Sequence, residues 1–162
     1  MILFATAQFL IFSGYAYYIY KKYGVLQSIS TSAYKLPHNK HWKFSVALFL
    51  TGILQLPIVI MADLSTWLFL PMLGLLYTGF STRFRKGIQK SIHYGGVVAA
   101  IVVQFLVMWL AHGLWVPMII VPLSVLASWK WIEKNLVWWV ELEIMAIVYL
   151  TYLYYFIEMI NG

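Results

Sequence analysis

Long apolar stretches separated by short polar segments dominate the pattern of hydrophobic and polar positions along this chain. A helix needs about 20 apolar residues to cross the roughly 30 Å hydrocarbon layer of a membrane. Six stretches approach that length, at about residues 1–20, 44–61, 64–80, 92–110, 114–128 and 136–160. The third and fifth are the shortest, so each either crosses the membrane or enters it and returns. The pattern predicts an all-α membrane bundle of about six transmembrane helices in a single domain.

The positive charges agree with six spans, because all eleven Lys and Arg residues fall in alternate loops. Loops rich in Lys and Arg stay on the cytoplasmic side of a membrane. Six spans place every positive charge on that side and both chain termini on the other. The three charged loops carry Lys21, Lys22, Lys35, Lys40 and Lys43; Arg83, Arg85, Lys86 and Lys90; and Lys130 and Lys134. The second loop is a candidate contact for anionic lipid headgroups.

Composition excludes several classes of function. The chain is 63% hydrophobic and 10% charged, whereas soluble domains have about 45–50% apolar and 25% charged residues. The absence of cysteine excludes disulfides, thiolate metal sites and thiol catalysis. The net charge of +6 does not indicate nucleic-acid binding, since the topology rule already accounts for the basic loops. Tryptophans near the predicted cytoplasmic interface, including Trp138 and Trp139, suggest an aromatic belt.

Two glutamates near the start of the sixth span are the strongest candidates for chemistry. Ionisable residues inside a membrane cost free energy, so each is a functional candidate. Glu141 and Glu143 are two positions apart, which places them about 200° apart around a helix, so they cannot both face one site. Either one of them forms a proton or cation site inside the bundle, or both lie near the interface and one pairs with a loop Lys or Arg.

Two amides, Gln55 and Gln104, are expected in the middle of the second and fourth spans. They either line a polar pocket with one of the glutamates or form hydrogen bonds between helices, which help membrane helices to pack. The fourth span also contains small residues four positions apart, Gly95 with Ala99 and Gly96 with Ala100. This spacing permits close approach of two helices, either within the bundle or in a dimer.

Three polar residues, Asp63, His112 and Glu158, are expected at the outer ends of the second, fourth and sixth spans. Carboxylates and imidazole are ligands for zinc, so convergence of the three would make a metal or acid–base site. The alternative is that each contacts interfacial water separately. No local ligand motif is present, and the sequence predicts neither a bound metal nor a cofactor.

Two segments carry a resemblance to known proteins. The segment YGVLQSISTSAYKLP at positions 23–37, and positions 79–96 with their basic loop and HYGG, resemble elements of small multi-span membrane proteins of bacteria and their phages. Those proteins are distantly similar to the Frag/DRAM-like membrane family. The resemblance implies a six-span bundle without established catalysis. The related ceramidase-like hydrolases hold zinc with several His and an Asp, whereas this chain offers Asp63 and His112 without a second helical His pair.

Three functions follow as hypotheses. The favoured one is a polytopic protein of the bacterial inner membrane that binds lipid, a membrane partner protein or a second copy of itself. The first alternative is a small transporter or proton-coupled channel subunit that uses Glu141 or Glu143. The second alternative is a lipid hydrolase at the outer face, although an enzyme is the less favoured class.

Overall fold

The computed structural model describes residues 1–80, 87–132 and 135–161, and these ranges are helical without any strand. The α-helices are α1 (Ile2–Tyr23), α2 (Ser32–Lys35), α3 (Trp42–Ile53), α4 (Gln55–Met61), α5 (Phe69–Phe80), α6 (Gly87–Val98), α7 (Gln104–His112), α8 (Val116–Ile132) and α9 (Leu136–Asn161). Two 3-10 turns, His38–Lys40 and Thr66–Leu68, and a π-helical segment, Ala99–Val103, complete the chain path. The predicted all-α fold is confirmed for these residues.

Four helical segments are long and apolar enough to cross a membrane, namely Ile2–Tyr23, His38–Met61, Ser91–His112 and Leu136–Asn161. They coincide with the first, second, fourth and sixth predicted spans. The third and fifth predicted spans are helical but shorter, since the apolar segment Thr66–Phe80 has 10–17 residues and α8 has 17 residues. The architecture is therefore that of a multi-pass membrane protein with four candidate spanning helices and two shorter apolar helices.

Two clusters of buried side chains define the two ends of the bundle. The loop-end cluster joins residues after α1, such as Leu26, Ile29 and Leu36, to side chains of α1, α3 and α9. The terminus-end cluster joins Met1 to side chains from the turn after α4, from α7 and from the second half of α9. Large apolar side chains are exposed on many helices. Such a surface suits a protein whose outer solvent is lipid rather than water.

Close glycine contacts fix α5 between α3 and α6. A Cβ atom at Gly74 would lie 2.5 Å from the Gly96 carbonyl oxygen, and one at Gly96 would lie 2.6 Å from the Gly74 carbonyl oxygen. On the opposite side, a Cβ atom at Gly52 would lie 3.1 Å from the Met72 carbonyl oxygen. The small-residue pattern of the fourth span thus serves packing within the bundle, while Gly95 faces outward with no atom near its Cβ position.

Two irregularities in the backbone of the second and fourth spans lie next to the mid-membrane amides. Pro57 has no N–H to donate to the Ile53 carbonyl, and the helix is interrupted at Leu54 between α3 and α4. In the fourth span, the π-helical segment changes the rotation of the residues that follow it. Gln55 begins α4 and Gln104 begins α7, and both side chains are buried.

Candidate functional site

The Glu141 carboxylate lies at the loop end of the bundle and binds the segment that follows α1. The Ile29 backbone N–H donates to Glu141 Oε2 at 2.5 Å, and the Ser30 hydroxyl donates to Oε1 at 3.4 Å. The Ser30 backbone N–H also faces the carboxylate. Within the described part of the chain, every group that contacts this carboxylate is uncharged. No described Lys or Arg therefore pairs with Glu141, while the basic side chains of the second and third charged loops, which the alternative also invoked, lie outside those described.

The segment that binds Glu141, residues 24–41, folds back into the bundle, and we call it the covering loop. It begins at Gly24, whose φ of +73° ends α1 in a conformation that favours glycine. Ile29, Ser32 and Ala33 are almost completely buried. The Ser32 hydroxyl also shares a 2.6 Å hydrogen bond with the Tyr15 hydroxyl on α1. The covering loop is thus tied by side-chain hydrogen bonds to both α9 and α1.

A small, partly open cavity of about 60 Å³ adjoins Glu141 and the covering loop. Its polar lining consists of Glu141, Ser30 and Thr78, and the remaining lining is apolar, from residues of α1, α3, α5, α6, α9 and the π-helical segment. A water molecule in a cavity needs about 10–15 Å³ of the cavity volume and two or more polar groups as hydrogen-bond partners. The cavity therefore has room for a few water molecules or a small hydrated cation beside the carboxylate.

Glu143 faces a different neighbour, as its spacing from Glu141 requires. The Ser124 hydroxyl of α8 lies within hydrogen-bonding distance of Glu143 Oε1 and is also 2.8 Å from the Val121 carbonyl oxygen, so these two acceptors share its single proton. Glu143 is thus part of the contact between α8 and α9, whereas Glu141 faces the covering loop. The sequence had left open which glutamate faces the bundle interior, and Glu141 is the one that lines the cavity beside the covering loop.

The two mid-membrane amides bind each other and do not reach either glutamate. The Gln55 amide donates to the Gln104 side-chain oxygen at 2.9 Å and to the Leu68 carbonyl at 2.8 Å. The Gln104 amide donates to the Tyr152 hydroxyl at 3.1 Å. These bonds connect α4, α7 and α9, which is the helix-packing role that the sequence offered as one of two alternatives. Tyr152 is completely buried and was not predicted as a partner.

Asp63, His112 and Glu158 do not form a shared ligand set. In residues 1–80, 87–132 and 135–161, no group of three or more His, Asp or Glu residues is placed to hold a metal ion. His112 Nε2 accepts the Ser65 backbone N–H at 3.2 Å, and its ring packs edge-on against Tyr155. Glu158 is exposed on α9. The metal-site hypothesis therefore gains no geometric support from these residues.

Asp63 has a local structural role at the end of α4. Its φ is +48°, and the Leu64 N–H reaches back to the Val59 carbonyl at 2.9 Å. The Asp63 N–H points to the Ile60 carbonyl at 3.4 Å. These two bonds are the Schellman pattern that ends many helices, in which the left-handed position favours glycine and tolerates Asp or Asn.

Asp63→Gly is therefore expected to leave stability unchanged or raise it by up to about 1 kcal/mol, because glycine suits a positive φ. Asp63→Val should lower stability by about 1–2 kcal/mol, since a β-branched residue is strained there. Thermal unfolding of both variants in detergent measures the difference. A clear loss of stability in Asp63→Gly would instead mean that the carboxylate itself makes an important contact.

The predicted lipid-contact residues Arg83, Arg85 and Lys86 lie outside the described residues, and Lys90 lies on α6 in a stretch whose side chains are not described. Other basic residues take a defined position at the loop end. Lys43 Nζ lies 4.6 Å from the centre of the Tyr18 ring, and Lys22 Nζ lies 4.9 Å from that of Tyr23. Cation–π contacts of this kind hold ammonium groups beside interfacial aromatic side chains.

The sequence missed most of the groups that surround Glu141. Ser30, Tyr15 and Thr78 carry no motif, and a backbone N–H such as that of Ile29 has no sequence signal at all. The one local signal is the run of Ser and Thr after the first span, because the side chains of these residues form hydrogen bonds to nearby backbone groups and favour short turns. Such turns are present at residues 28–35, where the Thr31 N–H donates to Ser28 Oγ at 3.1 Å.

Comparison with known proteins adds no family to this picture. No family model, no curated protein and no solved structure matches the chain, so its function must be argued from the geometry around Glu141.

Proposed function

We propose that this protein is a small transporter or channel subunit that carries a proton or a small monovalent cation through a site at Glu141. In this proposal all six apolar helices cross the membrane. The loop end faces the cytoplasm, because the charged loops lie there, and both termini face the other side. The membrane is proposed to be the inner membrane of a bacterium, in line with the resemblance and the charge rule.

One observation carries the proposal, namely a carboxylate that lines a small cavity and whose described neighbours are all uncharged. A structural carboxylate inside a membrane bundle is usually paired with a cation. Here hydrogen bonds from Ile29 and Ser30 only partly compensate the charge. A single carboxylate matches a single positive charge, and a cavity of about 60 Å³ excludes solutes much larger than water.

The backbone around the site supports the same class of function. Non-helical backbone at membrane depth is tolerated where protein or a cavity covers it, as in re-entrant loops and transporters. The covering loop is such a segment, since Ile29, Ser32 and Ala33 are buried. The interruption at Leu54 and the π-helical segment are helix irregularities of the kind found near binding sites in transporters.

The direct test is flux through the purified protein in liposomes, measured for H⁺, Na⁺ and K⁺ with ion-sensitive dyes. We expect wild-type protein to carry at least one of these ions, and Glu141→Gln to reduce that flux to the level of empty liposomes. Glutamine keeps the shape and an oxygen acceptor for the Ile29 N–H, so the variant is expected to fold.

Glu143→Gln is the matched control, because Glu143 lies two positions away on the same helix but contacts Ser124 of α8. Its flux is expected to equal that of wild type. Wild-type protein that carries none of the three ions would contradict the proposal, and so would a Glu141→Gln variant with unchanged flux.

A second candidate function, the binding of lipid or of a membrane partner, is favoured by an apolar groove of about 460 Å³ at the terminus end. The groove lies between the turn that joins α7 to α8 and the outer half of α9. It is lined by Gly113, Leu114, Trp115, Val116, Ile120, Ile147, Leu150, Thr151 and Tyr154. The absence of ion flux in wild-type protein would favour this function over transport.

A lipid hydrolase is not proposed, because Asp63 and His112 have structural contacts and no metal-binding group surrounds them within the described ranges.

A further inference from the structure

We propose that the covering loop is the gate of the Glu141 site and that the Glu141 carboxylate is its latch. This inference rests on the proposed transport function, and it adds the element that controls access to the carboxylate from the loop end. Ile29 and Ser30 of the covering loop form part of the cavity lining, so movement of the loop away from the bundle would uncover the cavity beside Glu141.

The covering loop has the internal bonds of a unit that can move as one body. The Ser28 and Thr31 hydroxyls are 2.6 Å apart, and the Leu36 N–H donates to the Ser32 carbonyl at 3.0 Å. His41 Nε2 lies 2.9 Å from the Leu36 carbonyl oxygen. These contacts stay within the loop, so they do not need to break when the loop moves away from the bundle.

The described side-chain hydrogen bonds that hold the covering loop to the rest of the bundle end on two side chains, Glu141 and Tyr15. Ile29 and Ser30 bind Glu141 on α9, and Ser32 binds Tyr15 on α1. Apolar contacts of side chains such as Ile29 and Leu36 in the loop-end cluster add to this attachment. Gly24, with its positive φ, is a natural hinge at the start of the loop.

The Glu141 carboxylate both holds the covering loop in place and binds the ion. Binding of an ion is therefore coupled to opening of the covering loop. Hydrogen bonds to an ionised carboxylate are roughly twice as strong as those between neutral groups. A proton or cation on Glu141 competes with the Ile29 N–H for the same oxygen and weakens the tie. The gate therefore opens more readily once the site is loaded, which releases the ion towards the loop end.

The absence of native cysteine allows this to be tested by single-cysteine labelling without any prior substitution. Ala100→Cys places a thiol in the cavity lining, on the π-helical segment. The protein is held in lipid nanodiscs, where a membrane-impermeant thiol reagent reaches both faces. Gln27→Cys, at an exposed position of the covering loop, gives the labelling rate of an open site.

In the Ala100→Cys background, Tyr15→Phe removes one tie to the covering loop and leaves Glu141 intact. We expect labelling about five times faster, the factor that corresponds to the loss of one ordinary hydrogen bond. Glu141→Gln should also accelerate labelling. Tyr149→Phe is the control, because its hydroxyl lies 3.4 Å from Thr6 Oγ1, elsewhere on the contact between α1 and α9.

Equal labelling rates in all variants would overturn the gate, and so would an equal acceleration by Tyr149→Phe, which would indicate general loosening. The labelling does not depend on flux, so the two proposals can fail separately. Lost flux in Glu141→Gln with unchanged labelling overturns the gate and leaves the transport site. Accelerated labelling in a protein that carries no ion supports the gate and overturns transport.

Discussion

Gly96→Ala is expected to destabilise the folded bundle by about 3 kcal/mol, at the upper end of the usual cost of overpacking. The new Cβ atom would lie 2.6 Å from both the Gly74 carbonyl oxygen and the Thr78 hydroxyl oxygen. The Thr78 hydroxyl donates a hydrogen bond to the Gly74 carbonyl at 2.8 Å. If the hydroxyl moved away from the new Cβ atom, that hydrogen bond would be broken. Relief by movement of α5 is restricted, because the Gly52 and Gly79 contacts press the other side of α5 against α3.

Gly95→Ala is the control, since nothing lies within 4 Å of its Cβ position. Alanine favours a helix over glycine by up to about 1 kcal/mol, so this variant should be neutral or slightly more stable. Unfolding of both variants in mixed micelles, followed by circular dichroism, measures the difference. Equal stability of the two variants would mean that α5 and α6 do not approach each other as closely as described.

Trp138→Ala is expected to cost a similar amount, about 3 kcal/mol, which is the lower end of the range for truncating a buried aromatic residue. Trp138 is 1% exposed and belongs to the loop-end cluster beneath the covering loop. The unfolded helices remain in lipid, so burial from water contributes little. The cost comes from the cavity and from lost dispersion contacts.

Trp139→Ala provides the comparison on the adjacent position, where the side chain is 43% exposed. Its effect on stability should stay within about 0.5 kcal/mol, as for most surface substitutions. The same unfolding measurement applies to both variants. If Trp139→Ala were the more damaging change, Trp139 rather than Trp138 would be the residue packed inside the bundle.

The sequence predicted the positions of the apolar helices within a few residues, because the length of an apolar run and the charges that end it are local properties. It also separated Glu141 from Glu143 by helical geometry alone. It assigned Trp138 and Trp139 together to an interfacial belt, whereas only Trp139 is substantially exposed. Which of two neighbouring residues faces inward depends on how α9 is rotated against its neighbours, and the apolar pattern of this helix is nearly uniform around its axis.

The burial of the covering loop is a second feature that could not be predicted from the sequence. Residues 24–41 are more polar than the spans around them and contain two of the eleven positive charges, Lys35 and Lys40. That pattern predicts a loop in water. Ile29 and Ser32 are nevertheless buried, and the hydrogen-bond partner of Ile29, Glu141, lies 112 residues further along the chain. Partners this distant in the chain leave no local periodicity.

The position of α5 has a consequence for how the chain is assembled in the membrane. The apolar segment Thr66–Phe80 spans about 24 Å at ordinary helical rise, less than the roughly 30 Å of a hydrocarbon layer. Its close backbone contacts come from α3 on one side and from α6 on the other. A nascent chain that has not yet reached Gly87 therefore has only half of the contacts that hold this short helix. Although α5 precedes α6 in synthesis, its environment is complete only after α6 has been inserted beside it.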